Sequence, residues 1–159
     1  MVKVISALFV HGFFVAFALI ISSCYGYTPT LHTLQLIYYS FCTFMLALAL
    51  SYATSAVVIF FRDLTQIINI FLQVGVWLTP IMWQVEQFSG SSFYPILCKL
   101  VKFNPMYYVV VGYRDSMIMG NGFWQRPGLT LYFWAVTLIT MLVGLKVFKR
   151  LRPHFSDVL

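Results

Sequence analysis

Four stretches free of Asp, Glu, Lys and Arg, at about residues 4–23, 34–61, 64–83 and 129–145, constrain this chain more than any motif in it. A helix needs roughly 20 mainly apolar residues to cross a bilayer, and these runs reach or approach that length. No water-soluble core absorbs so much apolar sequence in 159 residues, of which 61% are hydrophobic and 9% charged, with a mean hydropathy of +0.87. In hydrocarbon every backbone polar group must be satisfied within its own segment, which selects helices. The reading is an all-α membrane protein, a single transmembrane domain over 1–159 with four transmembrane helices. The first run follows Lys3 as a secretory signal does, but it is too long and ends in SSCYGY without a small-x-small cleavage site, so it is read as a retained span.

Lys and Arg near span ends fix orientation, because cytoplasmic loops retain positive charge. An internal N-terminus puts Lys3, Arg62, Lys146, Lys149, Arg150 and Arg152 inside, leaving Lys99, Lys102, Arg114 and Arg126 outside. Both termini are then cytoplasmic, with a tail at 146–159. The net charge of +6 needs no nucleic-acid partner, since inner-leaflet anchoring accounts for it.

Arg62 and Asp63 fall in a short cytoplasmic turn between the second and third spans. Asp63 is placed to cap the helix starting at Leu64, and Arg62 to snorkel or to bond the last carbonyls of the preceding helix; a docking or gating role for the pair stays open. In the third span Gln66, Asn69 and Gln73 recur at helical spacing, so their amides share one face. Lipid is a poor host for that face. It is expected against another helix, a second copy of the chain, or a polar conduit. Pro80 is expected to kink or end this helix. In the second span Ala47, Ser51 and Ser55 recur every four residues, a small surface suited to close helix packing.

The segment 84–128 is too apolar for a solvated loop and too interrupted to span. Two short re-entrant or interfacial helices on the outer side fit it, the second opened by Asn104 as cap and Pro105 in the first turn, and closed by Gly120–Gly122. Most Tyr and Trp fall in the outer half on this topology. Rings with polar handles suit lipid headgroups and sugar faces alike, so Trp83, Tyr107, Tyr108 and Tyr113 are candidates for contacting a glycan or forming a gate, beside Arg114 and Asp115.

No catalytic centre is expected. Glu86, Asp115, Asp63 and Asp157 form no carboxylate pair, His11, His32 and His154 lack metal spacing, and Cys24, Cys42 and Cys98 show no paired spacing. His11, inside the first span, reads as a hydrogen-bonded packing residue or a proton relay. Without a glycine-rich phosphate loop, any ATP must be hydrolysed by another polypeptide.

The stretches VIFFRDLTQI, VWLTPIMW, NPMYYVVVGYRD and VFKRLRPHFSDVL, in this order and spacing, resemble the permeases of type-2 ABC exporters, especially the branch that exports polysaccharides, O-antigen and teichoic acids. The resemblance implies a bacterial inner-membrane homodimer bound to two ABC ATPase subunits that carry ATP and Mg. It would move a lipid-linked glycan outward past re-entrant gate helices, with Gln66, Asn69 and Gln73 at the dimer interface or conduit wall. Family members have an amphipathic helix, two further spans and a coupling loop before the equivalent of Val2. On the resemblance this chain corresponds to the C-terminal four spans, a partial or truncated permease. A type-2 exporter of drugs or lipids, and a non-transporting scaffold or inactive remnant, stay open beside it.

Overall fold

The computed structural model describes residues 2–27, 29–61 and 63–153, which leaves Arg62 outside the described residues. Among these residues six α-helices follow one another: α1 (Val2–Cys24), α2 (Gln35–Phe60), α3 (Leu64–Leu78), α4 (Tyr94–Phe103), α5 (Pro105–Arg114) and α6 (Pro127–Leu151). Among the described residues three helical stretches are long and apolar enough to cross a membrane: Ser6–Cys24, Leu31–Phe60 and Pro127–Leu151.

The fourth expected span is a shorter apolar helix. At 15 residues and about 1.5 Å per residue, α3 is about 22 Å long, short of a hydrocarbon core of about 30 Å. Sequence reading carried it to residue 83, but it ends at Leu78. Pro80 has no amide hydrogen and crowds its predecessor out of the helical region, and Thr79 accordingly turns extended, at φ −78° and ψ 128°.

The long helices α2 and α6 lie side by side and run in the same direction. Near their starts Trp134 Nε1 donates to the Tyr38 hydroxyl at 3.0 Å, and near their ends Tyr52 meets Phe148 edge-on. Between these points the backbones touch. A β-carbon placed on Gly144 would lie 2.7 Å from the Ala53 amide nitrogen and 3.0 Å from its Cα. The buried face of α2 is Leu36, Tyr39, Cys42, Leu46 and Ala49, matched on α6 by Phe133, Thr137 and Gly144. Spacings of three and four residues make this a continuous seam.

That seam corrects the expected one. Ala47, Ser51 and Ser55 are exposed, and the Ser51 hydroxyl donates to the Ala47 carbonyl at 2.8 Å, which satisfies it within its own helix. The stripe supplies small size, but the facing helix packs on the side where Tyr39 and Phe133 bury more apolar surface and Gly144 lets the backbones close.

Two short helices do replace a loop in 84–128. α4 and α5 have 10 residues each and meet at the Asn104 corner. α5 packs into the angle between α2 and α6, with Tyr39, Cys42, Leu46, Tyr108, Val109 and Phe133 forming one core. Val85, Val101, Tyr107 and Val111 form a second beneath α4. Helix α1 lies at the edge, with none of its described side chains buried.

Candidate functional site

The densest set of long-range polar bonds surrounds α5. Asn104 starts the helix as expected: it adopts an extended backbone, its Oδ1 accepts the Met106 N–H at 3.0 Å, and Pro105 occupies the first turn, where no amide donor is needed. Its other amide atom reaches further. Asn104 Nδ2 donates to Thr79 Oγ1 at 2.8 Å, and that hydroxyl donates to the Gly75 carbonyl at 2.6 Å. At the far end of α5, Arg114 Nη2 donates to the Pro80 carbonyl at 3.0 Å and lies 3.4 Å from that of Ile81. A guanidinium is well suited to carbonyls left without partners past a helix C-terminus. The stretches LTPIMW and NPMYYVVVGYRD are thus two halves of one joint, in which α5 holds both ends of the Pro80 break.

The opposite face of α5 is fixed to α2, α6 and α1. Gly112 sits against Tyr39 so closely that a β-carbon there would fall 2.1 Å from the Tyr39 ring. The Tyr108 ring packs against Tyr39 and Phe133 at centroid distances of 5.4 and 5.2 Å, and its hydroxyl accepts from Thr130 Oγ1 at 3.1 Å. The Tyr113 hydroxyl lies 2.7 Å from Ser40 Oγ and 2.9 Å from His11 Nε2, so three helices share one polar cluster. His11 is therefore hydrogen-bonded inside the bundle. Burial pushes the Tyr113 pKa up, against the opposing hydrogen bond from Ser40.

Beyond Arg114 the helix widens into a π-helical turn, Asp115–Met119, ended by Gly120 in the left-handed region at φ 68°. The Gly120 and Asn121 amides both donate to the Asp115 carbonyl. Such turns displace side chains from α-helical register. Here Asp115 is brought into an ion pair with Arg126 at 3.2 Å, with its side chain 11% exposed.

Under the 3₁₀ turn Val85–Phe88 two adjoining cavities, about 290 and 240 Å³, share Val85, Glu86, Tyr107 and Arg126 as walls. Lys102, Tyr94, Cys98 and Leu129 also line the first; Arg114 and Asp115 are among the further walls of the second. Tyr107 is 7% exposed. Burial raises its pKa, Glu86 adds to the rise, and Arg126 and Arg114 oppose it. The hydroxyl therefore sits within the field of the cleft's charges.

The residues singled out from sequence are distributed unevenly around this site. Asn104, Pro105, Arg114 and Asp115 all belong to the joint. Tyr107 faces the cleft, Tyr108 is in the core, Tyr113 bonds His11 and Ser40, and Trp83 is half-buried with its Nε1 donating to the Trp77 carbonyl at 3.3 Å. Gln66, Asn69 and Gln73 are exposed on α3 and take no part in the hydrogen bonds of the joint. Asp63 stands at the N-cap position of α3, yet its backbone is already helical and its side chain makes no capping bond; the expected cap is absent because a side-chain cap needs an extended residue there. Sequence reading missed Thr79, Glu86, Lys102 and Arg126 as members of one site. Only the Thr-Pro pair carried a local signal, that of a helix stop.

No family model matches this chain, and no solved structure matches it. The chain is similar to a curated protein, the O-antigen export system permease protein RfbA of Klebsiella pneumoniae, at 24% identity over 101 residues, a stretch covering 64% of this chain and 36% of that protein.

Proposed function

We propose that this chain is a membrane permease subunit, or part of one, of an ATP-driven exporter moving a lipid-linked polysaccharide or polyol-phosphate polymer out of a bacterial cell. The observation that carries the reading is the similarity to an O-antigen export permease. It is supported by three apolar helices of spanning length and by two short helices pinned against the broken end of α3. The termini are cytoplasmic, and α4 and α5 lie on the outer side as re-entrant gate helices. ATP and Mg belong to a partner ABC ATPase. The exposed amides of Gln66, Asn69 and Gln73 meet a second copy of the chain or line the conduit between copies.

Deleting the gene tests this directly. The expected result is loss of a surface glycan with accumulation of its lipid-linked form on the cytoplasmic side, restored by the intact gene. Unchanged surface glycan and no intracellular accumulation would overturn the proposal.

A further inference from the structure

The cleft under Val85–Phe88 has the chemistry of a ligand site. Its charged walls are Lys102, Arg114 and Arg126 against Glu86 and Asp115, so cations outnumber carboxylates by one. Asp115 is already matched by Arg126 at 3.2 Å, and Arg114 spends donors on the Pro80 and Ile81 carbonyls without losing its charge. Lys102 and Glu86 are exposed at the mouth, and neither forms an ion pair among the described residues. Tyr107 is more than nine-tenths buried and makes no side-chain hydrogen bond among the described residues. Its hydroxyl is also not among enclosed atoms left without a partner, of which the described residues have none. It therefore opens into the cavity it lines. A hydroxyl open to the cavity can donate and accept there, and a guest that reproduces the bonds of the water it displaces is the one it suits.

We propose that this cleft binds a phosphate ester carrying free hydroxyls, with Lys102 and Arg126 of the first cavity beside the phosphate, Arg114 adding its charge from the adjoining one, the Tyr107 hydroxyl donating to the phosphate, and Glu86 accepting from the ligand's hydroxyls. The excess positive charge favours an anion over a metal cation, and a neutral sugar would leave that charge unanswered. Volumes of 240–290 Å³ suit one sugar- or glycerol-sized unit, near the small end of ligand pockets at roughly 300 Å³. A sugar phosphate of a glycan and a phosphatidylglycerol headgroup share this chemistry. The site deepens the export reading and rests on it for the origin of the ligand, but the binding itself is measurable without transport.

The test uses the full chain in phosphatidylcholine nanodiscs titrated calorimetrically with glucose 1-phosphate, and the same chain in nanodiscs with added phosphatidylglycerol, scored by phospholipid retained on gentle detergent extraction. Lys102→Gln and Glu86→Gln alter exposed side chains and should preserve the helical circular dichroism spectrum. For an anionic ligand their effects have opposite sign. Lys102→Gln weakens binding by about fivefold, the upper range for exposed charge pairs, and Glu86→Gln strengthens it by about twofold. Tyr107→Phe weakens it with no change in charge, and glucose binds far more weakly than its phosphate. Selective retention of phosphatidylglycerol, lowered by Lys102→Gln, with no heat from glucose 1-phosphate assigns the same site to a lipid headgroup. Absence of both signals, equal binding of glucose, or Lys102 and Glu86 variants that shift affinity in the same direction or not at all would overturn the site. A chain that binds the phosphate but whose deletion leaves glycan export intact would keep the site and defeat the export reading.

Discussion

Helices α2 and α3 are equally oily to the eye and follow one another in the chain, yet they settle their polar groups in opposite ways. In the α2–α5–α6 unit, most buried polar side chains are answered from inside: Tyr38 by Trp134, Ser40 by Tyr113, and Thr137 by the carbonyl one turn back. No buried side-chain nitrogen or oxygen among the described residues lacks a partner. In α3 no residue is buried, and three amides share an exposed face. The first unit is largely satisfied as folded, whereas the side-chain hydrogen bonds that reach the second from other helices, among the described residues, fall at its far end, at Thr79 and Pro80. Apolar composition suits both helices to a membrane; the location of hydrogen-bond partners is what separates them.

The sharpest way to break the self-contained unit is at Gly144. Gly144→Val brings a β-carbon and two methyls against the Ala53 backbone, which cannot swing aside as a side-chain tip can. Separating α2 from α6 there costs about 3 kcal/mol, at the upper end for overpacking. Unfolding in mixed detergent and dodecyl sulfate micelles should show that loss, and a change under 0.5 kcal/mol would mean the seam lies elsewhere.

Next comes the joint that holds α3. Asn104→Ala removes a helix cap and the bond to Thr79 together, for an expected loss of about 1–2 kcal/mol. A double-mutant cycle with Thr79→Val isolates the tertiary part, because residues sharing a bond couple where distant ones do not. Zero coupling would reduce Asn104 to a local cap. Tyr113→Phe is smaller, about 1 kcal/mol for one part-buried hydroxyl, and should be read as faster amide exchange in α1, whose His11 loses its 2.9 Å partner. Exchange unchanged in α1 would show that the Tyr113 bond does not hold it, the Ser40 contact of His11 at 3.2 Å remaining.

The ease of reading these features from sequence follows their range. Long apolar runs announced α1, α2 and α6, since hydropathy is a property of consecutive residues. Asn104–Pro105 announced the start of α5, because capping acts within three positions. Asp63 failed by the same local rule, its backbone being helical where a cap must be extended. The Ala47–Ser51–Ser55 stripe misled because smallness permits close packing without demanding it, and the deciding partner, Gly144, lies 91 residues beyond Ala53. The Tyr113–His11 bond spans 102 residues, and nothing near either residue points to the other. The π-helical turn that brings Asp115 to Arg126 likewise has no compositional signature. What could be read was local; the site was assembled from what was not.

The smallest expected effect on folding bears most directly on the contrast between the two helices. Replacing Gln66, Asn69 and Gln73 together with Leu removes polar groups that stand exposed, so no bond inside the folded chain is lost. The stability of the isolated chain should move by less than about 0.5 kcal/mol, as for surface substitutions generally, or rise slightly, since Leu is a better guest than an amide in lipid and a better helix former than Asn. Association is another matter. If these amides bond across to a second copy, single-cysteine crosslinking along α3 between copies falls in the triple variant, while Gly144 and Asn104 variants that still fold leave it intact. A triple variant that unfolds more easily would place α3 inside the self-contained unit and erase the contrast, and one that crosslinks as before would move the amides from an interface between copies to the wall of a conduit.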